Sequence, residues 1–245
     1  MATGESFHRL IPHIVEAGYE ALTFDNRGTG ESDRVAGLWS MTDLVGDTLA
    51  VMDAAALDRP HIVGASMGGM IVQHLALEHP QRVRSLVLAC TEPAHRLVPP
   101  PWRMLAAVLS RPVLGSAFAE RLAAPVLYSD TVREEGSERL TEDARLRAKE
   151  ATPIVTAASQ AAAIVRHNTT NRLADIRAPV LVVHGEQDKL IDPREAHTLA
   201  RCIPNAQLVL IADAGHYLTT DSEWESTEAI IQFLDACERR QPVRC

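Results

Sequence analysis

The chain has 245 residues, 46% hydrophobic and 23% charged, an ordinary globular composition with room for one large core. Its formal net charge of −8 and the scatter of its basic residues argue against a nucleic-acid surface, and no apolar run approaches the length of a membrane span. The start "MATGESFHRL" lacks a basic-then-apolar export pattern, so Cys90, Cys202, Cys237 and Cys245, which have no zinc spacing, are expected as reduced thiols of a cytoplasmic protein.

Strand-like and helix-like segments alternate at first. Phe7, Leu10, Ile11, Ile14 and Val15 recur at helical spacing and Gly18 follows as a C-terminal cap. "YEALTFD" (19–25) reads as a buried strand, and Thr42 is placed to cap a helix running to about Leu57 with Leu44, Val45, Thr48, Leu49 and Met52 on one face. "HIVGA" (61–65) is the next strand, 67–78 the next helix, and "VRSLVLAC" (83–90) another strand. Strands separated by such helices imply parallel pairing.

The alternation stops between about Glu92 and Arg172, where Pro99–Pro101, Pro112, Pro125 and Pro153 are expected to cut the chain into short helices at 102–111, 113–123, 138–150 and 154–167. It resumes with "APVLVVHG" (178–185), a helix at 193–202, "AQLVLIADAGH" (206–216) and a last helix near 222–238. The reading is therefore an α/β core in two parts, 1–91 and 173–245, split by a helical lid at 92–172.

Gly64-Ala65-Ser66-Met67-Gly68 matches G-x-S-x-G in the context that motif requires, a strand followed by a sharp turn into a helix. A nucleophile on so tight a bend takes a strained backbone, and side chains on its neighbours would collide, so glycine is expected on both sides. The helix beginning at Met67 aims free N–H groups at an oxygen that becomes negative during acyl transfer. A serine hydroxyl needs a base, and the base needs an orienting acid. Downstream, "VLVVHGEQD" ends in Asp188 and "LIADAGHY" carries His216, which gives the chain order Ser66, Asp188, His216. Asp192 is the alternative acid; the strand-end position favours Asp188. "DNRGTGES" lacks the lysine of a phosphate loop, so Asp25 and Arg27 are expected to bond internally at the rim of the site. The histidines show no metal-ligand spacing, so neither metal nor cofactor is implied.

On "DNRGTGESD" (25–33), "GASMGG" (64–69), "HGEQD" (184–188) and "AGHY" (214–217), the chain resembles the α/β-hydrolase-fold superfamily. Within it, the lid and loops are similar to the lactonase and esterase branch, which includes 3-oxoadipate enol-lactonases and methylesterases of polyketide pathways. The resemblance implies a mostly parallel sheet flanked by helices, with an inserted helical lid. It also implies an oxyanion hole built from the Met67 N–H and a residue after the third strand. This chain starts directly at the first helix, without the family's N-terminal strands. A missing central strand would leave buried ladder groups unpaired at about 1–3 kcal/mol each, so Met1 is expected to be an internal methionine preceded by roughly 25–35 further residues. Without them the second oxyanion donor falls to Ala2 or Thr3.

The expected substrate is a small-to-medium, fairly apolar carboxylic ester or lactone, with Trp102, Phe118 and Tyr128 of the lid lining its pocket and Arg166 and Arg172 able to approach the mouth. No nucleic acid or membrane partner is expected, and a homodimer is compatible with the sequence. Two other readings stand beside hydrolysis of an ester or lactone. One keeps the triad for C–C bond hydrolysis, perhydrolysis or acyl transfer; the other is a binding protein without turnover.

Overall fold

A computed structural model of the protein describes residues 4–95, 101–135, 138–149 and 152–239. Its centre is a parallel sheet of four strands, β1 (His61–Ala65), β2 (Ser85–Ala89), β3 (Val180–Gly185) and β4 (Gln207–Ile211), lying side by side in chain order. The register pairs Ala65 with Ala89, Ala89 with Val183 and Gly185 with Ile211, so the carboxyl ends of all four strands finish at one edge. Every residue of β2 and β3 is buried, the expected state of central parallel strands covered on both faces, and it explains their unbroken runs of Leu, Val and Ala.

Helices supply the cover. On one face Leu86, Leu88, Val180 and Val182 pack with α2 (Met41–Ala54), α3 (Met67–Glu78) and α9 (Arg194–Cys202). On the other, Val87, Leu181 and Val183 meet α1 (Leu10–Glu16) and α11 (Glu223–Arg239) through Leu10, Ile14, Ile230, Phe233 and Leu234. The cap of α2 is Ser40 rather than Thr42: Ser40 and Asp43 form a reciprocal capping box that satisfies two orphan N–H groups. Gly18 has φ +89° just beyond α1, as a helix-ending glycine should.

The expected buried strand at 19–25 is not one. Residues 19–26 follow an irregular path, and Leu22 is 54% exposed. A strand needs a neighbour for its ladder, and no described strand lies alongside this segment to provide it. "DNRGTGES" is instead held by side chains. Asp25 accepts from Gly4 N at 2.8 Å and Glu31 N at 3.0 Å, while Arg27 reaches outward to grip both oxygens of Asp47 on α2.

Between β2 and β3 the described chain forms α4 (Trp102–Leu114), α5 (Ser116–Leu127), α6 (Asp130–Glu134), α7 (Glu138–Lys149) and α8 (Ile154–Arg166). Neither Pro112 nor Pro125 breaks a helix as expected. α4 runs through position 112 and ends at Gly115 with φ +81°, and Pro125 lies in the last turn of α5. Packing overrides the local penalty: α4 and α5 meet through the small buried residues Ala107, Ala119 and Ala123. A neck closes the insertion at its base. Ala94 bridges to Asn168, His95 N donates to His167 O, and Thr169 N donates to Pro93 O. No described helix is long and apolar enough to cross a membrane.

Candidate active site

The strand-to-helix bend at residues 64–69 is built from close backbone contacts. Ser66 has φ +54° and ψ −121°, a conformation disfavoured for any residue with a side chain, and it separates β1 from α3. Its N–H donates to Ala89 O at 2.9 Å, and its carbonyl accepts from Thr91 Oγ1 at 2.8 Å. These bonds tie the bend to the end of β2 and offset the strain. A Cβ on Gly64 would come within 2.6 Å of Gly68 O, and one on Gly69 within 2.6 Å of Thr91. Crowding thus demands glycine at 64 and 69, whereas a Cβ at Gly68 would meet open space. Met67 is the first residue of α3, so its N–H is one of the unpaired donors at the head of that helix. Ala2 and Thr3 lie outside the described residues.

Asp188 and His216 come together from the loops after β3 and β4. His216 Nδ1 donates to Asp188 Oδ2 at 2.8 Å. The other carboxylate oxygen, Oδ1, accepts from Leu190 N at 2.8 Å and Ile191 N at 2.9 Å. His184 Nε2 lies 3.2 Å from Oδ2 and 3.1 Å from Ile191 O. Burial opposes the charge on Asp188, but the two imidazoles outweigh it and hold the carboxyl well below the usual carboxylate range. With Nδ1 engaged, His216 keeps Nε2 for a reacting partner. Asp192 is exposed and takes the guanidinium of Arg194.

The histidine loop is also fastened to the lid. His216 N and Tyr217 N both donate to Leu127 O, at 2.9 and 3.1 Å. Tyr217 stacks on Tyr128 at 5.3 Å between ring centres, with Arg147 over both rings and paired to Glu120 at 2.8 Å. Tyr128 is therefore placed unlike a pocket wall. It is 2% exposed, and its hydroxyl donates to Asp143 at 3.0 Å and accepts from Arg147. Trp102 and Phe118 are exposed on α4 and α5, and Arg166 and Arg172 are exposed as well.

Reading the residues in isolation misses three contributors. His184 stands four residues before Asp188 within "HGEQD", and that spacing at a strand end was the available signal. Asp221, described below, follows His216 with no motif to mark it. Cys90 takes φ +44° at the end of β2 and points its thiol at Gly215 O, 3.8 Å away. Cys90, His184 and Asp188 bring ligand-type atoms within 4.8 Å of one another. The set does not suit a metal. Both Asp188 oxygens are already committed to N–H donors, Oδ1 to Leu190 and Ile191 and Oδ2 to His216.

The sequence matches the profile of the alpha/beta hydrolase fold over residues 1–222. The chain belongs to the α/β-hydrolase family. A 2-hydroxy-6-oxononadienedioate/2-hydroxy-6-oxononatrienedioate hydrolase of Burkholderia vietnamiensis is 31% identical to this α/β-hydrolase over 244 residues, covering 95% of this chain and 83% of the relative. Among solved structures, a hydrolase from Pseudomonas aeruginosa superposes with a TM-score of 0.81 at 25% identity, over 95% of this chain and 85% of that one. The enol-lactonase from Burkholderia xenovorans superposes with a TM-score of 0.83 at 23% identity, over 95% and 87% of the two chains. That last likeness is one of fold.

Proposed function

We propose that this α/β-hydrolase cleaves a small-to-medium, fairly apolar carboxylic ester or lactone through an acyl-enzyme on Ser66. The observation that carries the reading is the strained φ of Ser66 at the bend, on the same sheet edge as the bonded His216–Asp188 pair. In this reading Nε2 of His216 removes the hydroxyl proton as Ser66 attacks the carbonyl carbon. The Met67 N–H holds the oxyanion, and the alcohol leaves with the proton from His216. Water then repeats the sequence against the acyl-enzyme and releases the acid. Asp188 keeps the imidazole in the tautomer that presents Nε2 and stabilises its transient positive charge. The lid insertion at 92–172 forms the wall above the strand ends, with Trp102 and Phe118 as its candidate substrate contacts.

A second reading rests on the Burkholderia vietnamiensis relative. Its named substrate is an enol and ketone dicarboxylate without an ester group, so its hydrolysis breaks a carbon–carbon bond. The same three residues suit that reaction, with His216 moving protons on a ketone substrate. A panel of p-nitrophenyl esters, simple lactones and a 2-hydroxy-6-oxo-dienoate separates the two. Turnover of the esters or lactones alone supports the first reading, and turnover of the dienoate alone replaces it with the second. A fluorophosphonate probe tests the nucleophile common to both. Covalent labelling is expected in the wild type and absent in S66A; equal labelling of the two would remove Ser66 from the mechanism.

A further inference from the structure

Asp221 ends the short helix α10 (Leu218–Asp221), five residues after His216. Its carboxylate is buried, and one oxygen, Oδ2, accepts two backbone N–H groups: Gly215 N at 2.6 Å and Ser129 N at 2.9 Å. Gly215 immediately precedes His216, and Ser129 joins α5 to α6 in the lid and is fully buried. A Cβ on Gly215 would lie 2.9–3.0 Å from Tyr128 C, Leu127 O and Ser129 N, so the two backbones are in direct contact at this point. Asp221 bolts them together from one side, and Leu127 O does so from its bonds to His216 N and Tyr217 N.

The bolt is an expensive choice. The other oxygen, Oδ1, is buried without a hydrogen-bond partner. Burial pushes the carboxyl up to about 6 against the pull of the two amides, and Asp143 adds to the rise. The charged and titratable groups around it do not relieve this. On α7, Asp143 accepts from Thr220 Oγ1 and Arg139 donates to Thr220 O; Cys90 at the end of β2 is neutral, and Glu223 of α11 is paired with His13. An asparagine would fill the same space and offer the same acceptor without the charge. What the carboxylate adds is stronger, charge-assisted bonds to the two amides and negative potential beside a loop whose imidazole must become cationic.

We propose that Asp221 is a positioning residue for His216, holding the histidine loop against the α5–α6 junction with a buried charge retained at the expense of stability. The proposal rests on the reading of Ser66 and His216 given above. Full-length wild type, S66A, D221N and D221A are compared for the rate of fluorophosphonate labelling and for Tm at pH 8. D221N is expected to label about tenfold more slowly or worse, because a slackened loop misplaces the base, while its Tm matches or exceeds that of the wild type. D221A is expected to be slower again. Labelling of D221N within threefold of the wild type overturns the proposal, and so does slower labelling accompanied by a lower Tm, which marks a purely structural role. S66A labelling at the wild-type rate would instead overturn the assignment of the nucleophile.

Discussion

Asp188 meets His216 through a single oxygen, Oδ2, at 2.8 Å, while its second oxygen is filled by the amides of Leu190 and Ile191. The carboxylate is thus fixed by its own loop before it acts on the ring. Asp188→Asn is expected to lower turnover by about 10³–10⁴-fold, since an amide that donates to Nδ1 would select the wrong tautomer. Steady-state rates on the best ester of the panel, with circular dichroism to confirm folding, check this. The same residue makes folding acid-sensitive. Its carboxyl is held below the ordinary value, so its stabilisation is present above that value and is lost as pH falls below it.

His184 shares Oδ2 with His216 and is completely buried. Replacing it with leucine removes a donor from both Asp188 and the Ile191 carbonyl. The expected cost is about 1–3 kcal/mol, or about 2–4 °C in Tm for each kcal/mol in a chain of this size. Thermal denaturation measures it. An unchanged Tm would mean that the ring contributes only volume.

The core strands and the bend at Ser66 are legible in the sequence because each rests on a local rule. Buried parallel strands read as apolar runs in "SLVLA" and "VLVVHG", and the bend at Ser66 announces itself by spacing alone. The segment at 19–25 shows where such rules stop. Its composition suits a strand, but a strand is a relation between two segments, and its partner is not written in its own residues. Pro101 and Pro153 stand at the heads of α4 and α8 as their local rule predicts, whereas Pro112 and Pro125 depart from it for the opposite reason, since helix packing in the insertion outweighs the local preference there. His184 and Asp221 carry no signature of their own, because their bonds to Asp188, Gly215 and Ser129 exist only once the loops are brought together.

Gly185 illustrates a demand visible only in three dimensions. A Cβ there would sit 2.2 Å from Ala214 O and 2.4 Å from Gly215 O, so the end of β3 touches the histidine loop backbone to backbone. Gly185→Ala is expected to force these apart, at about 1–3 kcal/mol, and to slow fluorophosphonate labelling by displacing His216 from Asp188. Urea denaturation and labelling rates test the two effects together. A variant with full stability and full labelling would refute the crowding argument.

Two buried groups titrate in overlapping ranges with opposite consequences. Burial lowers His167 to about 4, with His74 and His95 adding to the fall, so the folded protein refuses a proton that the unfolded chain accepts from 6.5 downward. Its contribution favours folding above 6.5 and is lost as pH falls toward 4. Asp221, raised from 3.8 to about 6, does the reverse: it favours folding at low pH and loses that contribution as pH rises through about 6. Stability at pH 7.5 minus stability at pH 4.5, from urea denaturation, is therefore expected to shrink in H167Q and to widen in D221N.

The neck formed by Ala94, Asn168 and the flanking backbone bonds has a consequence for exchange between relatives. Because β2 and β3 pair directly and the chain leaves and returns through this clasp, the register of those two strands does not depend on how long the excursion is. The excursion above the clasp is nevertheless tied back to the core at several places that a graft would have to reproduce: the Leu127 carbonyl and the Ser129 amide beside the histidine loop, Asp143 on Thr220, Ser159 on the Gly37 carbonyl, and Ala163 within the core under the sheet. An exchange that keeps those ties would leave the Ser66 bend and the Asp188–His216 pair unaltered on the strand ends beneath.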